Sequence, residues 1–341
     1  ICMFNKIYDK FKKFIKENYK QIIILVVFLV VMNYPLNYSV MVSGGTINVN
    51  DRVSIEGESK SKGSYSLAYV SELRGTIPSV LLSYIIPDWK KVPLEDYQAS
   101  DKETNEDIEL RSKVFLKYSE QAAIKLAYLK SGNSFKLNST DVTVVYIDPK
   151  AQTNLKVGDV IKKVNSKNIS SNNDYKSVVE PSNIGDRLDL KVLRNNKIVD
   201  ANIKVAEIDN EKITGVSLLE IYNYETNPKI KIDFKGNESG PSGGLMLTIA
   251  IYDKLVSKDL TNGLKIVGTG TIDYDGNVGQ IDGVAYKLKG AVKKGADIFI
   301  APTGENYQEC VKLKKKKGYK IDIIEAKTFE QVIRQLENYK K

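Results

Sequence analysis

A serine stands in a run of turn-forming residues, Gly236-Asn237-Glu238-Ser239-Gly240-Pro241-Ser242-Gly243-Gly244. The run passes directly into the apolar stretch Leu245-Met246-Leu247-Thr248-Ile249-Ala250-Ile251, which predicts a buried helix. Ser242 therefore falls at a bend on a helix's first turn. The first N–H groups of a helix have no intrahelical partner and lie at the positive end of its dipole. A hydroxyl there suits a nucleophile whose attack creates an oxyanion. The backbone N–H groups of Ser242 and Gly243 are the natural oxyanion donors, since Pro241 has none to give. A serine also needs a base, and the 341 residues contain no histidine. Lysine is the leading candidate, because burial disfavours its ammonium form.

Lys287 lies 45 residues downstream, in Asp282-Gly283-Val284-Ala285-Tyr286-Lys287. On a helical wheel it flanks the face made by Val284, Leu288 and Ala291. Lys294 falls on the same side, so the wheel does not choose between the two lysines. Between serine and lysine comes Gly268-Thr269-Gly270-Thr271-Ile272, a strand pattern ahead of a hairpin turn at Asp275-Gly276. Each residue also has a plain structural alternative. Ser242 would be a helix cap, Lys287 a surface lysine and Thr269 an ordinary strand residue. Glu238 and Ser239 are expected only to solvate the loop.

These three motifs, in this order and at this spacing, resemble the proteolytic domain of the Lon family, which uses a Ser-Lys dyad. The resemblance covers roughly residues 208–335. It implies Ser242 as nucleophile, Lys287 rather than Lys294 as base, and Thr269 as the threonine that hydrogen-bonds the catalytic lysine. It also implies a homo-oligomer. Further upstream, Leu155-Lys156-Val157-Gly158-Asp159-Val160-Ile161, with Val164-Asn165 beyond it, looks like a PDZ domain. That family implies a peptide-binding sheet. However, no Gly-Leu-Gly-Phe-type carboxylate-binding loop precedes the strand at Val142, only Phe135-Lys136-Leu137-Asn138-Ser139-Thr140.

The elements that position these motifs follow from periodicity. Residues 43–104 alternate in short segments such as Ser64 to Val70 and are expected to be strands, whereas Asn105 to Lys130 carries helical spacing and stops at Gly132. Val142 to Ile147, a helix from Asp174 to Val179 and a hairpin around Asn195-Asn196 form a compact unit. From residue 208 onward strands and helices alternate. The expected fold class is α/β (α+β), a Lon-type proteolytic domain with a PDZ-like β-rich domain and an N-terminal transmembrane helix.

Ile22 to Met32 is an unbroken apolar run, and counting on through Tyr34, Pro35 and Tyr38 to Val42 reaches the length of a span. The competing expectation is a cleaved signal peptide, for which an apolar core of this length is typical. No clear Ala-x-Ala site follows, which favours an uncleaved anchor. The expected organisation is then residues 1–20 as a cytoplasmic basic segment and 21–42 as the anchor. Residues 43–130 form strands and a connecting helix, within the protease fold. The PDZ-like domain takes residues 131–207 and the Lon-like domain 208–341. The whole resembles the membrane-anchored, PDZ-containing Lon-like serine proteases, and places the catalytic domain outside a cell membrane.

Composition narrows the alternatives. The net charge of +9 includes six lysines against Asp9 and Glu17 in residues 1–20, and the rest is too dispersed for a nucleic-acid surface. Cys2 and Cys310 imply no disulfide framework, and with no histidine they argue against zinc. Asp273 to Asn277 begins like a calcium loop, but Val278 and Val284 occupy the glycine and glutamate positions. No Gly-Lys dipeptide occurs, so the sequence holds no Walker A loop. The expected function is an ATP-independent, cofactor-free and metal-free serine endopeptidase acting on protein or peptide substrates. The alternative is a non-catalytic membrane scaffold that binds peptides through the PDZ-like unit.

Overall fold

The structure, a computed structural model, describes residues 2–58, 61–256 and 258–339. Along the chain, helix α1 (Cys2–Met32) is followed by β1 (Tyr38–Asn48), β2 (Val53–Ile55), β3 (Ser64–Arg74), α2 (Ile77–Ile85) and β4 (Trp89–Pro93). The chain forms two compact units, residues 1–42 with 71–96 and residues 43–70 with 97–341.

In the first unit the start of β1 pairs antiparallel with β4, from Tyr38 opposite Pro93 to Val42 opposite Trp89. The expected span over residues 21–42 is therefore not one helix. α1 ends at Met32, and Pro35 keeps the chain from resuming a helix before β1. Among the described residues no helix is long and apolar enough to cross a membrane. A second correction concerns residues 77–85, which fall in a stretch expected to be strands and instead form α2. Thr76 caps it and exchanges hydrogen bonds with Ser79, and Pro78 sits in the first turn. Those start signals outweigh the short apolar run that reads as a strand.

The second unit continues with α3 (Asn105–Ser131), capped by Thr104 and closed by Gly132 in the left-handed conformation. Then come β5 (Ser134–Ile147), β6 (Val160–Val164), β7 (Lys167–Asn168), α4 (Asn172–Val179), β8 (Arg187–Arg194), β9 (Lys197–Lys204), β10 (Ala206–Ile208), β11 (Glu211–Ile213) and β12 (Val216–Asn227). An antiparallel sheet runs β12-β5-β6-β8-β9, with β7 beside β6. It has its own core, in which Tyr175 and Val179 of α4 pack on Val142, Val144, Ile161, Leu188, Leu190 and Ile203. Asn195 and Asn196 both take positive φ in the hairpin between β8 and β9, as an Asn-Asn turn should.

The remaining elements are β13 (Ile230–Ile232), α5 (Gly244–Leu255), β14 (Lys265–Gly268), β15 (Thr271–Ile272), β16 (Val278–Gly279), α6 (Val284–Lys293), β17 (Ile298–Pro302), α7 (Glu305–Lys317), β18 (Asp322–Ala326) and α8 (Phe329–Glu337). Here the sheet order is β18-β17-β14-β3-β1, with β14 parallel to both β17 and β3. Alternation along these strands feeds two cores. Ile266, Ile298 and Ile300 join α5, α3 and α8, while Val267, Phe299 and Ala301 face Val284, Leu288 and Ala291 of α6 and Cys310 of α7. α5 is buried from Gly244 to Lys254. Such burial all round is what its almost unbroken apolar sequence demands.

Candidate active site

The serine turn is a short 3-10 segment, Pro241–Gly243, running into α5. Gly240 starts it with φ 88°, a conformation that side chains rarely adopt. Gly244 ends it where a Cβ would come within 2.8 Å of the Ile272 side chain, so α5 can approach β15 only through a glycine. Ser242 and Gly243 occupy the first turn, where N–H groups have no intrahelical acceptor. Ser242 itself is partly buried.

Three segments hold this turn. The Ser242 carbonyl accepts from the Gly270 N–H at 2.7 Å and from the Thr269 hydroxyl at 3.0 Å. From α3, the Ser119 hydroxyl donates to the Pro241 carbonyl at 3.3 Å, and the Ser112 carbonyl accepts from the Gly240 N–H at 3.0 Å. α3 is thus more than the expected connection. Upstream, Arg52 grips Glu238 with Nε 2.9 Å from Oε2 and a terminal nitrogen 2.6 Å from Oε1. The Arg52 carbonyl also accepts from the Asp233 N–H at 2.9 Å. Glu238, expected to be mere loop solvation, is a fixed point of the loop. Its partner lies 186 residues away, a separation that sequence spacing does not reveal.

The lysine arrives from the other face. α6 starts after Gly283 and buries Val284, Leu288 and Ala291 in the second core. Lys287 shares that helix and is 3% exposed, while Lys294 caps the helix end. Lys287 Nζ donates to Thr269 Oγ1 at 3.2 Å, and Thr269 is itself fully buried. Thr269 follows the C-terminal end of β14, its N–H bonded to the Ile300 carbonyl at 3.0 Å. Two hydrogen bonds therefore connect Lys287 through Thr269 to the backbone of Ser242.

A cleft of about 280 Å³ opens beside Pro241, lined by Phe115, Tyr118, Ser119, Ile272 and Val278 among others. Near it an edge-to-face stack joins Tyr118 and Tyr222 to Tyr274, with ring centres 4.7 and 4.9 Å from it. The Tyr222 N–H donates to the Tyr274 hydroxyl at 3.2 Å. Strand β12 thus touches the β15-β16 hairpin directly. The strand beside β5 is β12, which arrives from later in the chain behind Thr214 and Gly215. α4 packs along it: the Asn172 N–H donates to Glu220 at 2.6 Å, and Tyr175 and Thr214 share a buried hydroxyl bond of 2.9 Å. This strand lies downstream of β5 and not upstream of Val142. The Gly-Val pair at 215–216 ahead of an apolar run was its only signal.

Among the described residues no cluster of His, Cys, Asp and Glu could hold a metal ion. Cys310 is fully buried, and burial, followed by the Glu309 charge, pushes its thiol up to about 12.

Two family models match the chain. One describes a PDZ domain and covers residues 109–205, starting inside α3. The other describes the Lon protease (S16) C-terminal proteolytic domain and covers residues 234–338. Among solved structures the chain is similar to the PDZ domain of an SdrC-like protein from Listeria innocua, at 24% identity over 24% of this chain and 92% of that one, with a TM-score of 0.22. It is also similar to the PDZ domain of the SdrC-like protein from Listeria monocytogenes, at 20% identity over 25% and 93%, with a TM-score of 0.23. No curated protein matches. The chain carries a PDZ domain and a Lon-type proteolytic domain.

Proposed function

We propose that the chain is a serine endopeptidase in which Ser242 is the nucleophile and Lys287 its base. The observation that supports this most directly is the burial of Lys287 against Thr269, whose hydroxyl is bonded to the Ser242 carbonyl. At 3% exposure, desolvation disfavours the charged form of Lys287, the direction a base requires. The neutral amine takes the Ser242 hydroxyl proton as Oγ attacks a substrate carbonyl. The Ser242 and Gly243 N–H groups receive the oxyanion. Collapse of the tetrahedral intermediate breaks the peptide bond, the lysine returning its proton to the leaving amine. Water then hydrolyses the acyl-enzyme by the same route.

The reaction needs neither ATP nor a metal. The PDZ unit presents or gates protein substrates, with β12 as the strand to which an extended peptide adds. The chain is held at a membrane through the apolar half of α1, Ile22 to Met32. A serine-directed phosphonate tests the chemistry: label on the wild type, lost in Ser242→Ala and in Lys287→Ala, is the expected result. Equal labelling of all three would refute the dyad.

A further inference from the structure

α2 is turned inside out. Its inward positions are Thr76, Ser79, Val80 and Ser83, with Ser79 buried and Ser83 half-buried. The Ser79 hydroxyl donates to the Arg74 carbonyl at 2.8 Å and the Ser83 hydroxyl to the Val80 carbonyl at 2.7 Å. Its outward positions are Leu81, Leu82, Tyr84 and Ile85, of which Leu81 is 56% exposed, Tyr84 71% and Ile85 74%. A helix on an aqueous surface shows the reverse pattern. The helix is not placed by chance, because its capping box fixes where it begins and Pro87 follows the final Ile86 cap.

The rim of this face has a definite chemistry. Lys91 Nζ sits 4.4 Å from the centre of the Tyr38 ring and bonds the Tyr84 hydroxyl at 3.0 Å. Trp89 and Lys90 stand next to it at the start of β4. Aromatic rings interleaved with lysines around an apolar patch match the water boundary of a bilayer, where the rings sit at headgroup level and the ammonium groups meet lipid phosphates. α2 also packs against α1. In α1 every residue from Ile23 to Val31 is exposed around the whole circumference of the helix. A protein partner would cover one face of such a helix, whereas lipid covers all of it.

Depth makes the same point. Ile22 to Met32 spans about 16 Å at 1.5 Å per residue, against a hydrocarbon core of about 30 Å. We propose that the outward face of α2 is a second membrane-contacting element, immersed in the interface of an anionic bilayer, where it extends the apolar surface that α1 begins. This rests on the membrane placement proposed above, and the following experiment separates the two. The full chain is added to vesicles of phosphatidylglycerol and phosphatidylcholine brominated near the headgroups. Flotation reports binding, and Trp89, the chain's single tryptophan, reports α2. The expected result is flotation with a blue-shifted Trp89 emission that the brominated lipid quenches. In Leu81→Asp/Ile85→Asp, flotation through α1 persists while the shift and most of the quenching are lost; both positions are exposed, so the fold is kept. Flotation with unquenched Trp89 overturns the role of α2 and leaves the membrane placement standing. Failure to float overturns both. A blue shift that grows with protein concentration in the absence of lipid assigns the face to a second copy of the chain, and also overturns the proposal.

Discussion

Lys287 donates its hydrogen bond to Thr269, and the polarity cannot be reversed, because the one proton of the Thr269 hydroxyl is committed to the Ser242 carbonyl. A neutral lysine amine has two N–H groups and one lone pair. In the proposed dyad one N–H is used on Thr269 and the lone pair takes the serine proton. On that proposal Thr269 orients the base and ties it to the segment that carries the nucleophile.

Replacing Thr269 tests that orientation. Thr269→Val keeps the shape but removes the acceptor, and kcat is expected to fall about 10- to 100-fold, a modest part of what a positioned base contributes. Thr269→Ser restores the acceptor and should recover most of the loss. Steady-state kinetics on one cleaved peptide measures both, with KM little changed in each. Equal rates in Val and Ser variants would mean that Thr269 only fills space.

The dyad predicts a pH dependence. The lysine must be neutral to act, so activity is low where the amine is protonated and rises with pH. The rise is expected below the ordinary lysine value of about 10.4. Lys287→Arg retains the charge and cannot lose it, so it should fall to background along with Lys287→Ala. Ser242→Ala combined with either should be no worse than the single changes, because the residues act as a unit. Substantial cleavage by Lys287→Arg would remove Lys287 from the mechanism and make Lys294 the next lysine to examine.

Much of the candidate site's local structure was legible because its signals are local. The Gly-Pro-Ser-Gly-Gly turn, the 3.6-residue spacing around Val284 and Leu288, and the paired asparagines at 195–196 each specify their own conformation. What stayed hidden depends on distance along the chain. Arg52 and Glu238 meet across 186 residues, Ser119 meets Pro241 across 122, and β12 joins β5 from beyond the expected PDZ boundary. α2 was hidden for another reason. Its apolar residues point outward, so a periodicity argument that assumes a buried apolar face has nothing to count there.

Cys310 offers a chemical check on the second core. Its thiol is buried and pushed up to about 12, so at neutral pH essentially none is the reactive thiolate. Iodoacetamide should leave Cys310 unlabelled in the native protein and modify it once denaturant opens the contact between α7 and the sheet. Mass spectrometry of the labelled peptides gives the answer, and rapid native labelling would contradict the packing of Cys310 against Phe299 and Ala301.

The Arg52–Glu238 pair sets the final prediction, because it holds the loop that leads into the serine turn. Burial alone would raise the Glu238 carboxyl, but the Arg52 hydrogen bonds and the Lys235 N–H outweigh it and hold the group below its ordinary value. A carboxyl depressed in the folded state contributes stability that is present above its unfolded value of about 4.3, and that stability is lost as pH falls through the depressed folded value. Amide-exchange protection over residues 235–240, corrected for intrinsic rates, should therefore fall as the pH drops below the ordinary glutamate value of about 4.3, before the rest of the domain opens. Both side chains are largely buried, at 12% and 14% exposure, so the charged hydrogen bonds are worth about 2 kcal/mol rather than the small value of a surface pair. Glu238→Gln should remove the acid-dependent step and loosen the loop at neutral pH. Arg52→Ala should do the same, and the double change should cost little more than either alone. If the loop acts on the proposed nucleophile only by positioning it, the loss should appear in kcat with Ser242 still open to labelling. An exchange profile unaffected by either substitution would show that the turn is held by Thr269, Gly270 and Ser119 alone.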